Sequence, residues 1–300
     1  MSSTSDTDTL QGFIDLLTVS RQPAGGFLGS PQKDGVGRVF GGQIVAQALQ
    51  AAQATVPDEF AAHSLHAYFL RAGTEGIETR YSVESDLDGR SFANRRIQAR
   101  QDGTIILSLT ASFQRPEDGL EHREAAMPDV PPPDELRPDH SLRLEAIEQA
   151  GERMSEAQRA LMLRPRPIEM RTAGVLHWMN SEPSEPRAHT WFRTTAPLPD
   201  DEALHRAVIA YASDYTLLGT AALPHGLSWF RGELVGASLD HSIWFHAPAR
   251  ADEWLLYATE SPWSGGGRGM NRGHIFTQDG RLVASVAQEG MMRKRVKKAR

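Results

Sequence analysis

Each half of the sequence contains one segment, rich in apolar and small residues, that has the spacing of a buried helix. Residues 41–54 begin with two glycines and are rich in alanine, while residues 204–218 follow three acids and present a broad apolar face. This spacing predicts one helix over each segment. Because almost nothing after Arg206 is strongly polar, we expect the second helix to be buried nearly all round.

Alternation of apolar and polar residues predicts strands elsewhere in both halves. Asp-Gly pairs, which favour tight turns between antiparallel strands, follow several of these segments. The predicted strands cover residues 63–70, 77–87, 91–100 and 104–114 in the first half, and residues 168–171, 190–194, 236–246, 253–260, 270–278 and 281–292 in the second. Each half is therefore predicted to combine one helix with an antiparallel meander.

Motifs shared by the two halves indicate a duplicated unit. Three pairs match at separations of 177 or 178 residues: Gln101-Asp102-Gly103 with Gln278-Asp279-Gly280, His63-Ser64 with His241-Ser242, and Asn94-Arg95 with Asn271-Arg272. A nearly constant offset is typical of a tandem repeat. A long helix inside a curled antiparallel sheet, present twice, predicts an α+β chain of two hotdog units. This double hotdog shields sheet edges that each unit alone would expose.

Composition divides the chain further. Residues 1–9 are polar and are predicted to be disordered, and a helix is predicted over residues 10–19. A proline-rich stretch at 115–140 is followed by a second predicted helix, over residues 141–163. The predicted organisation is an N-terminal tail and helix (1–25), a first hotdog unit (26–115), a proline-rich linker with a helix (116–165), a second unit (166–293) and a basic tail (294–300).

The bulk composition excludes several classes of protein. With a net charge of −6 at pH 7, the chain as a whole is not expected to bind nucleic acid. No apolar run reaches the ~20 residues that a membrane span requires. The absence of cysteine rules out disulfides, thiol nucleophiles and cysteine zinc sites. The polar start has no apolar signal segment, which predicts a cytoplasmic protein.

Several familiar catalytic motifs are missing. The sequence has no Gly-x-Ser-x-Gly elbow, no His-Glu-x-x-His and no Walker phosphate loop, and its eleven histidines lack metal-ligand spacing. The glycine-rich residues 264–269 stand between strands, which favours a hairpin over a phosphate cradle. Histidines 63, 66, 241 and 246 fall in predicted strands, where a hydrogen-bonded structural role is favoured over catalysis.

One carboxylate interrupts the apolar helix predicted over residues 204–218. Asp214 needs an explanation, because an unpaired buried carboxylate is costly or takes up a proton. On its own it is compatible with neighbouring donors near the helix end or with a chemical role. Two strands of the same half add candidates, because Gln288 is an amide on an otherwise apolar face and Ser238 shares a face with a glycine and an aspartate.

Longer motifs extend through both halves of the chain. They are Arg38-Val-Phe-Gly-Gly-Gln-Ile-Val-Ala-Gln-Ala-Leu49, His63-Ser-Leu-His-Ala-Tyr-Phe-Leu-Arg-Ala-Gly73, Asp88-Gly-Arg-Ser-Phe92, Thr110-Ala-Ser-Phe-Gln114, Tyr211-Ala-Ser-Asp214, Leu239-Asp-His-Ser-Ile-Trp-Phe-His246, Glu253-Trp-Leu-Leu-Tyr257 and Gln288-Glu-Gly290. In these motifs the chain resembles acyl-CoA thioesterase II. The resemblance runs in order over residues 35–293 and is weakest over residues 115–165.

The resemblance implies a double-hotdog enzyme that hydrolyses fatty acyl-CoA to free fatty acid and coenzyme A, with no cofactor and no metal. The family's Asp-Thr-Gln triad binds the attacking water, and it falls on Asp214, Ser238 and Gln288. Ser238 departs from the family pattern, because it keeps the hydroxyl but lacks the methyl that restricts the rotamer of threonine. Asp214 is then expected to accept the proton of a water that Ser238 and Gln288 hold, and backbone N–H groups are expected to bind the oxyanion.

The resemblance also implies partners. Coenzyme A carries phosphates, and Arg268, Arg272 and Arg293 are candidates to bind them. Acyl-CoA is the expected substrate, and a homo-oligomer, either a dimer or a tetramer, is expected. The matching helix of the first unit offers Gln43 and Gln47 but no acid, so we expect one working site for each pair of units.

Two alternative functions stay open at this point. A hotdog enoyl-CoA hydratase or dehydratase would need an Asp/His acid–base pair near the helix, and His205 is wrongly placed for this relative to Asp214. A non-catalytic acyl-CoA-binding or sensing protein with the same fold is the second alternative, and the serine at position 238 keeps it open. The sequence leaves the preferred acyl chain length open.

Overall fold

A computed structural model of the chain describes residues 6–32, 37–151, 154, 156–174, 176, 179, 182–229 and 231–295. Its helices are α1 (Asp6–Leu17), α2 (Gly41–Gln53), α3 (Asp139–Ala150), α4 (Glu156–Leu163), α5 (Glu202–Ser213) and α6 (Leu217–Thr220). Of the two predicted tails, residues 1–5 and 296–300 lie outside the described residues.

The helix predicted over residues 41–54 is confirmed as α2, whereas the predicted disorder of residues 6–9 is wrong. These residues form the first turn of α1. Asp6 and Asp8 lie in that turn, where carboxylates interact favourably with the positive end of a helix. Leu10 and Phe13 on the same helix are buried, so packing against the rest of the protein stabilises α1.

Two other predicted helices are not continuous over the range that the apolar pattern indicates. The helix predicted over residues 141–163 is divided into α3 and α4. Helix α3 ends at Ala150, and the next residue, Gly151, has a φ of +52°, which favours glycine. The helix predicted over residues 204–218 ends at Ser213. Asp214 therefore caps the C-terminus of α5 instead of lying within a continuous helix.

The predicted strands are present, with shifts of a few residues at their ends. Strands β1 and β2 were not predicted, and β1 begins at Val19, which the predicted helix of residues 10–19 included. Their bounds are β1 (Val19–Arg21), β2 (Phe27–Gly29), β3 (Ala61–Phe69), β4 (Thr79–Asp88), β5 (Phe92–Gln101), β6 (Thr104–Gln114), β7 (Ile168–Ala173), β8 (Arg187–Thr194), β9 (Leu234–Ser238), β10 (Asp240–Phe245), β11 (Leu255–Gly265), β12 (Arg268–Thr277) and β13 (Leu282–Lys294). The glycine-rich segment forms the β11–β12 hairpin, as predicted, with Gly266 and Gly267 at positive φ. The strand predicted over residues 236–246 is in fact two strands, β9 and β10.

These strands form one continuous sheet in the order β1-β2-β4-β5-β6-β3-β10-β13-β12-β11-β8-β7. Counted inwards from the two ends of the sheet, the strands of the two halves correspond: β1 to β7, β2 to β8, β4 to β11, β5 to β12, β6 to β13 and β3 to β10. The two halves join where β3 pairs with β10, and Ser242 lies opposite His66 there. Helices α2 and α5 pack against each other inside the curled sheet. The fold is thus two hotdog units that share a sheet, as predicted.

The two halves differ most in the connection between the central helix and the next strand. Residues 54–60 link α2 directly to β3, whereas residues 214–239 link α5 to β10 and include α6 and β9. Strand β9 pairs with the end of β13, which sets Ser238 opposite Gly290. This longer connection brings polar residues of the second half to the end of α5.

The proline-rich segment lies against the second half of the sheet. The indole N–H of Trp191 donates to the carbonyl of Pro131 at 2.9 Å. Val130 and Leu136 pack against a small apolar cluster that includes Trp254 and is separate from the main core. These contacts cover an apolar outer face of the sheet.

Candidate active site

The structure brings Asp214, Ser238 and Gln288 together, although up to 74 residues separate them along the chain. The amide nitrogen of Gln288 donates to Oδ1 of Asp214 at 2.7 Å and lies 3.0 Å from the hydroxyl oxygen of Ser238. The Ser238 hydroxyl donates more weakly to the same carboxylate oxygen, at 3.4 Å. The end of α5, the end of β9 and the middle of β13 each contribute one member of this cluster.

The other carboxylate oxygen of Asp214 faces the N-terminus of α2, in the opposite half of the chain. The backbone N–H of Gly42 donates to Oδ2 at 2.8 Å. A Cβ on Gly41 would lie 2.7 Å from this oxygen, and a Cβ on Gly42 would lie 2.4 Å from the carbonyl oxygen of Tyr211. Both distances are too short for a side chain, so the two glycines allow the positive end of α2 to approach the carboxylate.

The environment of Asp214 changes its acidity. Burial raises the pKa of the carboxyl to about 6, and the hydrogen bonds from Gln288, Gly42 and Ser238 limit the rise. The carboxylate is therefore mostly ionised at neutral pH, yet it is a stronger base than an exposed aspartate. A proton acceptor with a pKa near the working pH suits general base catalysis.

A fourth side chain, His241, fixes the orientation of the Gln288 amide. The Ser213 hydroxyl donates to the carbonyl of Ala210 at 2.9 Å, so it accepts from Nε2 of His241 at 2.8 Å. Nδ1 of His241 is then free of a proton and accepts from the Gln288 amide nitrogen at 3.0 Å. Burial lowers the pKa of His241 to about 3, which keeps the ring neutral.

The hydrogen-bonded role predicted for the strand histidines is confirmed. Each of these side chains bonds a serine hydroxyl: His63 with Ser112, His66 with Ser242, His241 with Ser213, and His246 with Ser285. No local pattern connects His241 with the candidate site, although the residue belongs to the motif of residues 239–246. Its contact with Gln288 depends on the pairing of β10 with β13.

A cavity of about 880 Å³ opens beside the carboxylate, and Asp214 and Ser238 are among its lining residues. Most of the lining is apolar or aromatic, including Phe40, Ile44, Phe69, Leu218 and Trp229. Arg38 and Arg71 line the same cavity. Both arginines are exposed and both belong to the first half of the chain.

The arginines predicted to bind coenzyme A lie elsewhere. Arg268 and Arg272 are exposed on β12, where they pair with Glu289 at 2.8 Å and Glu260 at 2.6 Å. Arg293 is exposed near the end of β13. None of the three is among the residues that line the cavity beside Asp214.

The described residues contain no group of three or more His, Asp or Glu side chains that could hold a metal ion. Within the same part of the chain, no helix is long and apolar enough to cross a membrane.

Two family models match the chain in order. The acyl-CoA thioesterase N-terminal domain matches residues 30–114, and the acyl-CoA thioesterase model matches residues 158–291. The duplicated fold and these matches together define an acyl-CoA thioesterase, a hydrolase that acts on thioester bonds.

Individual relatives agree with this class. The chain is 40% identical over 259 residues to acyl-coenzyme A thioesterase 8 of Homo sapiens, covering 85% of this chain and 81% of that protein. The crystal structure of the acyl-CoA thioesterase II TesB2 from Mycobacterium marinum superposes with a TM-score of 0.75 at 38% identity, over 95% of this chain and 98% of that one. A hot dog fold protein of unknown function from Alicyclobacillus acidocaldarius superposes with a TM-score of 0.73 at 21% identity, over 95% and 98% of the two chains, which supports the fold alone. This chain belongs to the acyl-CoA thioesterase II family.

Proposed function

We propose that the protein hydrolyses fatty acyl-CoA to free fatty acid and coenzyme A, with Asp214 as the general base and Ser238 and Gln288 as the groups that position the attacking water. The observation that carries this proposal is a carboxylate of raised pKa that lines a largely apolar cavity and is held by an amide and a hydroxyl. A carboxylate has about four acceptor positions, so Asp214 keeps capacity for a water after it accepts the bonds of its neighbours.

The reaction needs no covalent intermediate, because a thioester carbonyl is already electrophilic. Asp214 takes a proton from the bound water while the water oxygen forms a bond to the carbonyl carbon. The tetrahedral intermediate then breaks its C–S bond. The sulfur leaves with the bonding electron pair and receives the proton that Asp214 accepted. This transfer leaves Asp214 ionised again. The products are the thiol of coenzyme A and a fatty acid, which loses its own proton to solvent.

The oxyanion of the intermediate requires donors close to the carboxylate. The backbone N–H of Gly41, in the first turn of α2, has no acceptor within its own helix. This residue lines the same cavity as Asp214. We therefore assign the Gly41 N–H to the oxyanion, while the neighbouring Gly42 N–H holds the carboxylate. One such donor contributes about 3–4 kcal/mol to the rate when it is preorganised.

The arginines that line the cavity indicate which side of it the coenzyme A part of the substrate occupies. Arg38 and Arg71 lie on the side of the cavity formed by the first half, and the guanidinium of Arg71 is anchored by a bond of 3.0 Å to the carbonyl of Ile105. We assign the phosphates of coenzyme A to these two arginines. Binding of the phosphates by Arg268, Arg272 and Arg293 stays a prediction, and none of the three lines the cavity beside Asp214.

The central helix of the first half has no acid that could act as the general base of a second site. Gln47 of α2 is buried and fully engaged, because its amide nitrogen donates to the carbonyl of Leu16 and its oxygen accepts from the hydroxyl of Tyr81 at 2.6 Å. We infer one working site per chain. Titration with a non-hydrolysable acyl-CoA analogue should give one site, and two equivalent sites would contradict the inference. The homo-oligomer and the cytoplasmic location stay predictions.

A hydratase or dehydratase mechanism is less compatible with the site. His205 accepts from the backbone N–H of Ala251 at 3.0 Å, and it lies nine residues before Asp214 on α5, which separates them by about 13 Å along a helix. His241 is near the carboxylate, but Gln288 lies between them and both ring nitrogens are engaged. Thiol release from acyl-CoAs of increasing chain length, compared with hydration of crotonyl-CoA, distinguishes the two activities. Hydration without thiol release would overturn the proposed function.

A further inference from the structure

One end of the Gln288 amide has no role in the site described above. Its nitrogen faces Asp214, Ser238 and His241, whereas its oxygen, Oε1, has no hydrogen-bond partner among the described residues. The residue is 0% exposed, so solvent does not reach this oxygen. Most buried side-chain oxygens accept from the protein or from an ordered water, because an unpaired buried acceptor is costly. Oε1 therefore requires a donor.

A second unpaired oxygen lies on the neighbouring strand. Asn271 of β12 is directly opposite Gln288 of β13, so both side chains lie on the inner face of the sheet. Asn271 is also 0% exposed, and its Oδ1 atom has no partner in the described part of the chain. Its amide nitrogen makes one long contact, of 3.4 Å, with the carbonyl oxygen of Gly269. Two acceptors thus lie on opposed residues, and neither oxygen can donate to the other.

The adjacent inner positions of β12 and β13 offer no side-chain donor. They are Gly269 and Gly290, which are directly opposite each other, and Gly273 and Val286. A Cβ on Gly269 would lie 2.5 Å from the Cβ of Ala221, and a Cβ on Gly290 would clash with Leu218. Helix α6 and the residue after it therefore pack directly against these strands, and they help to separate the two amides from solvent.

The buried hydroxyls on the other side of β12 give their protons to other acceptors. Ser261 of β11 donates to a backbone carbonyl of β12 at 2.6 Å. Thr259 of β11 donates to a backbone carbonyl of β8 at 3.1 Å, so it accepts from the hydroxyl of Thr220 at 2.9 Å. Because each hydroxyl has a single proton, none of these three donates to the amide oxygens of Gln288 and Asn271.

We infer that a buried water lies between the two amides and donates one O–H to Oε1 of Gln288 and the other to Oδ1 of Asn271, which makes Asn271 a positioning residue for Gln288. Water is a small neutral molecule with two donors, and internal waters bond about two to four buried polar groups that are otherwise unpaired. The inference rests on the proposed function, because it takes Gln288 as a group that positions the attacking water.

This water would fix which end of the Gln288 amide faces Asp214. If the amide turned over, Oε1 would face the carboxylate and the unprotonated Nδ1 of His241, both of which are acceptors. A bond accepted at Oε1 also polarises the amide and strengthens donation by its nitrogen. Asn271 is not among the residues that line the cavity beside Asp214, so its effect is expected in kcat and not in substrate binding.

A high-resolution crystal structure of the wild type tests the water directly. We expect a density peak within about 2.6–3.2 Å of both Oε1 of Gln288 and Oδ1 of Asn271. Direct contact between the two amides, or a peak bonded to only one of them, would overturn the inference. This measurement does not depend on turnover. If the wild type released no thiol from acyl-CoA, the proposed function would fail and the water would still be tested.

Kinetics test the positioning role. Asn271→Leu removes the acceptor at nearly constant volume, so kcat for thiol release should fall roughly tenfold with little change in KM, the effect of one buried hydrogen bond. Asn271→Ser keeps an oxygen that can accept from the water and should recover most of the activity. Equal losses in the two variants, or a change mainly in KM, would overturn the role.

Asn94→Leu is the matched control, because Asn94 belongs to the same Asn-Arg motif in the first half and is half-buried opposite Ser112. It should keep the wild-type kcat. A double-mutant cycle completes the test, because a residue that acts through Gln288 loses its effect when that amide is absent. In the Gln288→Ala background, Asn271→Leu should change kcat by less than about twofold. A further loss of roughly tenfold in that background would overturn the inference.

Discussion

Replacement of Asp214 by asparagine tests the central element of the mechanism. The side chain keeps its shape and an oxygen that can accept from Gln288 and Ser238, but it can no longer take a proton. General base assistance contributes about 10²- to 10⁴-fold, which corresponds to about 3–5 kcal/mol of transition-state stabilisation. We therefore expect kcat for thiol release to fall at least 100-fold, with little change in KM. Activity within tenfold of the wild type would remove Asp214 from the role of base.

The pH dependence of the wild type follows from the same group. Burial raises the pKa of Asp214 to about 6, and only the ionised form can accept a proton from water. The kcat/KM should therefore rise with pH up to about 6 and level off above it. The residual activity of Asp214→Asn should show no such rise. A wild-type profile that is flat between pH 5 and 7 would contradict the assignment.

The stability of the protein provides an independent measurement of the same pKa. The folded-state pKa of about 6 exceeds the unfolded value near 3.8, so the native state holds the proton more tightly. The stabilisation from this proton is complete below pH 4 and is lost as the pH rises through 6, by up to about 3 kcal/mol. In Asp214→Asn this loss is absent, although the amide nitrogen that faces Gly42 forfeits one hydrogen bond, at a cost of about 1–2 kcal/mol.

We therefore expect Asp214→Asn to gain unfolding free energy relative to the wild type between pH 4 and 7 and to be at least as stable at pH 7. Thermal or urea unfolding at several pH values measures this difference. Asp252→Asn is the control of opposite sign. Burial raises the pKa of Asp252, but the bonds from Arg250 at 2.9 Å and from the Leu198 N–H at 2.9 Å outweigh it and lower the pKa overall. That variant should lose stability at pH 7. A lower stability of Asp214→Asn across the whole range would refute the reasoning.

Two further predictions concern residues that act through others. His241→Leu removes the acceptor that orients the Gln288 amide. We expect kcat to fall about tenfold, the effect of losing one buried hydrogen bond, with little change in KM. An unchanged kcat would show that the amide needs no support from His241. Gly42→Ala places a Cβ 2.4 Å from the carbonyl oxygen of Tyr211 and should lower the melting temperature by several degrees, because α2 must move away from α5. Gly12→Ala in α1, where a Cβ has no neighbour within 4 Å, is its control and should be neutral or stabilising.

Local sequence patterns were sufficient for the elements that a single segment determines. The spacing of apolar residues predicted α2 and the long strands, and the repeated motifs predicted the duplicated fold. The resemblance to acyl-CoA thioesterase II named Asp214, Ser238 and Gln288 before their contacts were known. These inferences succeed because helix and strand periodicity, turn residues and motif order are properties of consecutive residues.

Contacts between distant segments were decided only by the tertiary structure. The apolar pattern of residues 204–218 did not reveal that α5 ends at Ser213, and no local pattern links Asp214 to the N–H of Gly42 across 172 residues. The raised pKa of Asp214 likewise arises from its burial between two helices. The hydrogen bond between His241 and Gln288 arises from the pairing of β10 with β13. Desolvation and hydrogen-bond partners are set by what surrounds a side chain in space. That is why the chemistry of this carboxylate required the folded protein.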